Sequence, residues 1–325
     1  MLDTRRIHLI SCIGVDSELA LLPHFLGHYR SIGIAPDAMQ LILNTLDPDS
    51  PNLATARAIL HEHGIADADV WIAPYTSDAM WARRRALQQA RVAANDWVVN
   101  ADVDEFHEYP ATLETFLDWC DKRRINVAQG VFIDRLAPHG QLKPIAGEPA
   151  MSVQFPLAAE VQCALGQPSI HQKPGGSVKV MAHQGDVFLN RGGHRPAPDN
   201  PPIRFAFGHD LDRFPMLDRP VFRWSLPLRV HHYKWTAGLR ETLERRLATP
   251  GVSPAGAEYG QKLLDHLHRH DGIALAEVAV AEPGLAPITH RWPAAIRRRA
   301  RQARWLVATR KPRKKLKRWL GSRAS

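Results

Sequence analysis

Three carboxylates fall within four residues at Asp102, Asp104 and Glu105, directly after an apolar run over residues 97–101. Like charges this close repel unless something positive sits among them. Asp102 and Asp104 are two apart, so in an extended segment both point the same way. Hard oxygen ligands at a strand end suit Mg2+ or Mn2+, and such ions keep open positions that bind ligand phosphates. The plainer reading is an acidic surface turn. Two further groups carry chemistry. The run His231-His232-Tyr233-Lys234-Trp235 holds two imidazoles and an ammonium, and as a strand it shows only one of the histidines to a given face. The run Arg191-Gly192-Gly193-His194-Arg195 sets a histidine in a tight turn, where it suits proton transfer near neutral pH. Asp210, in Gly208-His209-Asp210, is its rival as a base.

These side chains need a frame, and the first 135 residues supply one by alternating two kinds of segment. Strands are expected over residues 7–13, 39–44, 70–74, 97–101 and 127–133. Helices are expected over 17–31, 54–63, 77–94 and 110–123. The first helix carries Leu19, Leu22, Leu26 and Tyr29 at helical spacing and stops at Gly33. Ser77 or Asp78 is placed to cap the third. Such alternation implies βαβ units and a mostly parallel sheet covered on both faces. Ligands of such sheets bind beyond the carboxyl ends of the strands, which singles out the loops 44–47, 74–78 and 102–105. Residues 137–176 are rich in Pro and Gly and read as an acceptor region or a flap. Strands over 178–189 and 229–233 and helices over 237–247 and 257–270 follow, with no internal repeat.

The 325 residues suit one large domain, and 45% hydrophobic with 23% charged residues is ordinary for a globular chain. Cys12, Cys120 and Cys163 are odd in number and far apart, with no Cys-x-x-Cys pair. A disulfide framework or structural zinc site is therefore not expected, and a reducing compartment is. The run 7–13 is too short to span a membrane and lacks the layout of a secretory signal. The net charge of +9 is uneven. From Arg291 onward there are 14 Lys and Arg and no Asp or Glu, leaving 28 basic against 33 acidic residues in the body. The high pI thus belongs to a tail and gives no ground for nucleic-acid binding by the body.

The stretch Trp97-Val-Val-Asn-Ala-Asp-Val-Asp-Glu-Phe106 resembles the metal-binding motif of family 2-like glycosyltransferases, in a branch with the form Asp-x-Asp-Glu-Phe. Three more stretches resemble that branch, in order. They are Leu21-Leu-Pro-His-Phe-Leu-Gly-His-Tyr-Arg-Ser-Ile-Gly33, Lys179-Val-Met-Ala-His183 followed by Gly193-His194, and His231-His-Tyr-Lys-Trp235. The resemblance covers about residues 6 to 250. It departs after the first strand, where the family often has Asn-Glu and this chain has Gly14-Val-Asp-Ser-Glu18, with Asp16 or Glu18 in its place.

The resemblance implies a single GT-A-like nucleotide-diphospho-sugar transferase domain over residues 1–282, a nucleoside-diphosphate sugar as donor, a Mn2+ or Mg2+ ion, and inversion at the sugar. Asp104 and Asp102 would hold the metal, or Asp104 would do so while Asp102 touches ribose. His232 would be a late metal ligand or phosphate contact. Arg85, chosen from Arg83-Arg84-Arg85, would lie near the diphosphate. From their residue types, Glu105 would orient the loop or touch the sugar, and Lys179 and Lys234 are phosphate candidates. Asp78 either contacts base or ribose or caps a helix. His194, Asp210 and Glu105 are the candidate catalytic groups.

Residues 283–325 read as a basic, partly amphipathic tail, with Trp292, Trp305 and Trp319 among arginine and lysine and with Ile296, Leu306 and Val307. Such a segment suits an anionic membrane surface. That places the protein in the cytoplasm with contact to the inner face of the cell membrane, near a glycan or lipid-linked acceptor. Two other readings use the same residues: a metal-dependent phosphoryl or nucleotidyl transferase, and an inactive sugar-nucleotide-binding scaffold. No GxxxxGK[ST] loop is present to favour the first.

Overall fold

The computed structural model describes residues 6–166, 177–214, 216–248 and 252–305. Strand β1 (Ile7–Gly14) is apolar on both faces and buried along its middle, as a central parallel strand must be. It pairs in parallel with β2 (Met39–Thr45) on one side and β4 (Trp97–Asn100) on the other. Strand β3 (Asp69–Ile72) adds to β2, giving the order β3-β2-β1-β4. Helices α1 (Leu22–Ser31), α2 (Pro51–Glu62) and α3 (Ser77–Arg91) connect them. The chain leaves β1 for β2 on one side and returns to β4 on the other. A cleft therefore opens at the carboxyl ends of β1 and β4.

The helix expected over 17–31 is broken. A short turn, Val15–Glu18, and a 3-10 turn, Leu19–Leu21, precede α1. Pro23 lies in the first turn of α1, where its missing N–H costs nothing; one continuous helix would have needed that N–H. The cap of α3 is Thr76, whose hydroxyl accepts from the Ala79 N–H at 3.2 Å, and neither Ser77 nor Asp78.

Beyond β4 the same sheet becomes mixed. It continues through β5 (Glu105–Glu108), β6 (Val127–Leu136), β7 (Leu157–Ala159), β8 (Val178–Gln184) and β9 (Arg229–His232), with α4 (Leu113–Asp121) between β5 and β6. Strand β8 lies antiparallel between β4 and β6. Strand β9 runs parallel to β6 and antiparallel to β5. The chain is thus an α/β protein, parallel across its N-terminal strands and mixed across the rest. Strands β5 and β7 are not anticipated by the sequence pattern.

Helices α5 (Leu239–Ala248) and α6 (Pro254–His270) close a second core around Trp235, Leu243 and Leu263. Residues 283–305, the first part of the basic segment, pack on the main core. Trp292 lies edge-on to Phe116 and Trp119, at 5.8 and 5.3 Å between ring centroids, and Ile296 is fully buried. Arg299 donates to the Ser225 hydroxyl at 2.9 Å and lies over Phe222. Trp305 is exposed. Leu306, Val307 and Trp319 lie outside the described residues.

Candidate functional site

The run after β4 does not continue as an extended strand. The Glu105 N–H donates to the Asp102 carbonyl at 2.9 Å, closing a turn before β5 begins. Asp102 and Asp104 therefore do not share one cation, as an extended segment would have allowed. They face different partners.

Asp102 faces two cations. Arg84 on α3 donates to its Oδ1 at 2.7 Å, and Lys179 on β8 donates to its Oδ2 at 2.9 Å. Lys179 also donates to Glu105 Oε1 at 2.9 Å, while Glu105 Oε2 accepts from the Asp102 N–H. Arg84 reaches back to Asn100 Oδ1 at 2.6 Å. Both cations are almost wholly buried, at 2% and 1% exposure. A buried cation is tolerable only with such partners. Burial alone would raise the Asp102 carboxyl, but Lys179 and then Arg84 overcome it and hold it well below the usual carboxylate range. Burial would likewise lower Lys179, and Asp102 with Glu105 raises it instead. Glu105 has only a share of Lys179, so its burial prevails and lifts it to about 7.

Asp104 faces His232. The ring Nε2 lies 3.3 Å from Asp104 Oδ2. The other nitrogen, Nδ1, donates to Asp134 Oδ1 at 3.0 Å. The register explains the meeting, since β9 lies between β5 and β6 and pairs His232 with Glu105 on one side and Asp134 on the other. Burial would lower His232; Asp104 first, then Asp134, raise it to about 9. Burial would raise Asp104, and His232 holds it below its ordinary value. Glu18, after β1, closes the cleft from below and accepts the Gly14 N–H at 2.7 Å. Loss of surrounding water, and then the charge of Asp104, push it up to about 8. This half of the cleft thus carries an excess of carboxylate. Asp104 keeps 23% of its side chain exposed there.

The donor set fits a hard or borderline divalent cation. One carboxylate oxygen and the Nε2 nitrogen of His232 would hold it, the ion displacing the proton that Nε2 otherwise carries towards Asp104, and its remaining positions would be left for water and phosphate. Asp102 is already neutralised by Arg84 and Lys179.

The other expected residues fall in varied places. Arg85 is not in the cleft; it donates to the Leu189 carbonyl at 3.3 Å, and Arg84 takes the place expected of it. The buried face of α3 explains the exchange, because Met80, Trp81, Arg84 and Gln88 share one side of the helix. Asp78 lies on the exposed surface against Arg191, outside the carboxylate cluster. Asp210 caps its own turn and accepts from Gln129 at 3.0 Å, with Arg195 at 3.6 Å; none of these is a member of the cluster. His194 commits its Nδ1 to the Val178 carbonyl at 2.6 Å, and burial followed by Lys179 lowers it to about 4. Lys234 donates to the Tyr259 hydroxyl and lies over that ring, and burial with Arg246 brings it down to about 7. Asp134 and Trp235 join the site without having been anticipated as site residues. An acid directly after the uncharged run 127–133 was the available signal, because a buried carboxylate needs a partner.

Two other features are set apart from this cleft. Alternation along β5 and β9 turns Phe106, Glu108, His231 and Tyr233 away from Glu105 and His232. They line a cavity of about 690 Å³ on the opposite face. Near the end of α6, His266, His270 and Glu277 lie close enough to share an ion. The Ala274 N–H donates to His266 Nε2 at 3.1 Å, however, so the ring proton sits on Nδ1 facing Glu277. A metal at Nδ1 would force that proton onto Nε2, against another donor. The group is a hydrogen-bonded clasp at a helix end.

No family model matches the chain, and no curated protein matches it. Among solved structures it is similar to S. aureus TarS residues 1–349, with TM-score 0.33 and 9% identity over 82% of this chain and 72% of that one. A structure of S. aureus TarS gives 0.30 and 10% over 83% and 44%. UDP-glucose pyrophosphorylase complexed with UDP-glucose gives 0.24 and 10% over 48% and 67%. Likenesses this distant carry no functional argument, which rests instead on the chain's own cleft.

Proposed function

We propose that the cleft at the carboxyl ends of β1 and β4 is the donor site of a metal-dependent glycosyltransferase. It would move a sugar from a nucleoside diphosphate to a glycan or lipid-linked acceptor, with inversion. The observation that carries this reading is the pair formed by Asp104 Oδ2 and His232 Nε2, 3.3 Å apart in a carboxylate-rich cleft where the parallel half of the sheet gives way to the mixed half. The ordered resemblance of the four sequence stretches supports it.

A Mn2+ or Mg2+ ion held by Asp104 and His232 would neutralise the charge that develops on the departing diphosphate. Asp102, locked between Arg84 and Lys179, fixes the turn that presents Asp104 and can reach the ribose with its exposed edge. Lys234, poised near neutrality by burial, would take up a proton as the diphosphate arrives. Tyr75, 52% exposed just beyond β3, offers a flat face to the base. Among the three candidate bases, Glu105 and Asp210 are committed to neighbouring cations. His194 is neutral at physiological pH, and its Nδ1 proton is fixed on Val178, so Nε2 keeps the lone pair that an acceptor hydroxyl needs.

The basic segment would lie on an anionic membrane surface. Arg291, Arg297, Arg298, Arg301 and Arg304 are exposed beside Trp305, opposite the buried face of Trp292 and Ile296. Each such arginine contributes about 1 kcal/mol near an anionic surface. No helix among the described residues is long and apolar enough to cross a membrane. Cosedimentation with anionic but not neutral vesicles is expected, and equal binding to both would remove this part of the reading.

The test of the enzymatic reading is donor hydrolysis over a panel of nucleotide sugars, read by released nucleoside diphosphate with Mn2+ and with EDTA. Metal-dependent release from one donor class is expected. Release of pyrophosphate would favour a nucleotidyl transferase, and no release from any donor would favour a scaffold.

A further inference from the structure

Asp134 is 1% exposed near the carboxyl end of β6, directly after the apolar residues Val131, Phe132 and Ile133. A carboxylate there costs several kcal/mol unless it is satisfied, and a valine or leucine would serve the core without that cost. Its oxygens are fully engaged. Oδ1 accepts from His232 Nδ1 at 3.0 Å and from Trp235 Nε1 at 2.9 Å, and Oδ2 accepts from the Gln162 N–H at 2.7 Å. With three donors already on the carboxylate and its side chain 1% exposed, Asp134 is committed to its neighbours. What it does is fix the imidazole of His232.

The fixing is geometric. The parallel register of β6 and β9 sets Asp134 beside His232 on one face of the sheet. A proton on Nδ1, donated to Asp134, leaves Nε2 as the nitrogen directed at Asp104. Phe132 lies 4.9 Å from the imidazole between ring centroids, and Trp235 meets it edge-on at 6.3 Å, so the ring has little freedom to turn. The neighbouring His231 shows the contrast. Its Nε2 meets Glu108 at 3.0 Å on the opposite face of the strand, and its Nδ1 has no hydrogen-bond partner.

We propose that Asp134 is a positioning residue for the cation: it holds His232 in the tautomer and orientation that present Nε2 beside Asp104, and Trp235 holds Asp134 in turn. This rests on the donor-site reading of the cleft. A carboxylate behind a ligating histidine fixes its tautomer and raises its basicity, and losing it typically weakens metal binding about 10- to 100-fold.

The experiment is a double-mutant cycle on the full-length chain, with Mn2+ binding followed by the electron paramagnetic resonance of the free ion. Asp134→Asn is expected to weaken Mn2+ binding about 10- to 100-fold in the wild-type background and to add nothing in the His232→Ala background. Unchanged binding in Asp134→Asn, or the same loss in both backgrounds, overturns the inference, because a merely structural role acts without His232. If Asp134→Asn fails to fold, the Co2+-loaded wild-type protein decides by proton NMR. A paramagnetically shifted ring N–H protected from solvent exchange is expected for His232, and its absence sinks the proposal. A wild-type chain that binds no Mn2+ defeats the donor-site reading itself, which is a separate result from a wild-type chain that binds Mn2+ and ignores Asp134.

Discussion

Asp102 and Asp104 stand two residues apart and live in opposite surroundings. Asp102, 38% exposed, sits in a half closed by charge and not by burial, where Arg84 and Lys179 neutralise it and Glu105 completes the network. Asp104, 23% exposed, sits in a half left open in charge, with one imidazole for a partner and Glu18 nearby, which burial and the charge of Asp104 keep protonated up to about pH 8. A pair of carboxylates in sequence is therefore not a pair in function. The closed half builds the turn, and the open half is left short of positive charge, which a bound cation would supply and in turn offer to a diphosphate.

Breaking the closed half should have the largest effect. Lys179→Met strips the shared ammonium from the buried Glu105 and from the partly exposed Asp102, and the expected cost in urea denaturation is about 3–5 kcal/mol, most of it from Glu105. A variant as stable as wild type would mean that the network is not what holds the turn. Arg84→Ala should destabilise less than Lys179→Met, because Lys179 remains on Asp102.

The open half makes a prediction in pH. Glu18 is lifted from 4.5 to about 8, so the folded chain keeps a proton there that the unfolded chain gives up. The stability this contributes is full below pH 4.5 and is lost as the pH rises through about 8. Glu18→Gln should keep it. The melting temperatures of variant and wild type should match below about pH 4.5 and diverge progressively up to about pH 8, with the variant higher. Parallel profiles would remove the like-charge account of this half. Adding Mn2+ should shrink the gap by lowering the carboxyl's pKa.

The smallest effect sharpens the placement of the arginines. Arg85→Ala should stay within about 0.5 kcal/mol and leave nucleotide binding unchanged, since its contact is a single carbonyl away from the cleft. A loss matching that of Arg84→Ala would return Arg85 to the site.

The parallel half of the fold was legible because each strand is a continuous apolar run and each helix repeats its apolar face. The mixed half was less so. Strand β5 reads Glu-Phe-His-Glu, and its charges hide a strand whose polar side chains are satisfied across the sheet by Lys179 and by Arg229. Asp104 and His232 could be singled out as candidate ligands, but their separation from Asp102 could not be read, because it depends on the turn closed at Glu105. Arg84 could have been preferred to Arg85 from the stripe Met80, Arg84, Gln88, which puts it on the buried face. Asp134 carried a signal too, as an acid that directly follows the uncharged run from Val127 to Ile133. Its partner on a strand nearly a hundred residues later was beyond the reach of local spacing.

The division between the halves is tested most directly by titrating UDP and GDP into the protein calorimetrically, with and without Mn2+, for wild type and for Asp104→Ala. The account predicts that Mn2+ strengthens binding of one nucleotide, and that Asp104→Ala removes this gain while its melting temperature stays close to that of wild type. Binding that ignores Mn2+, or a metal effect that survives in Asp104→Ala, would contradict it.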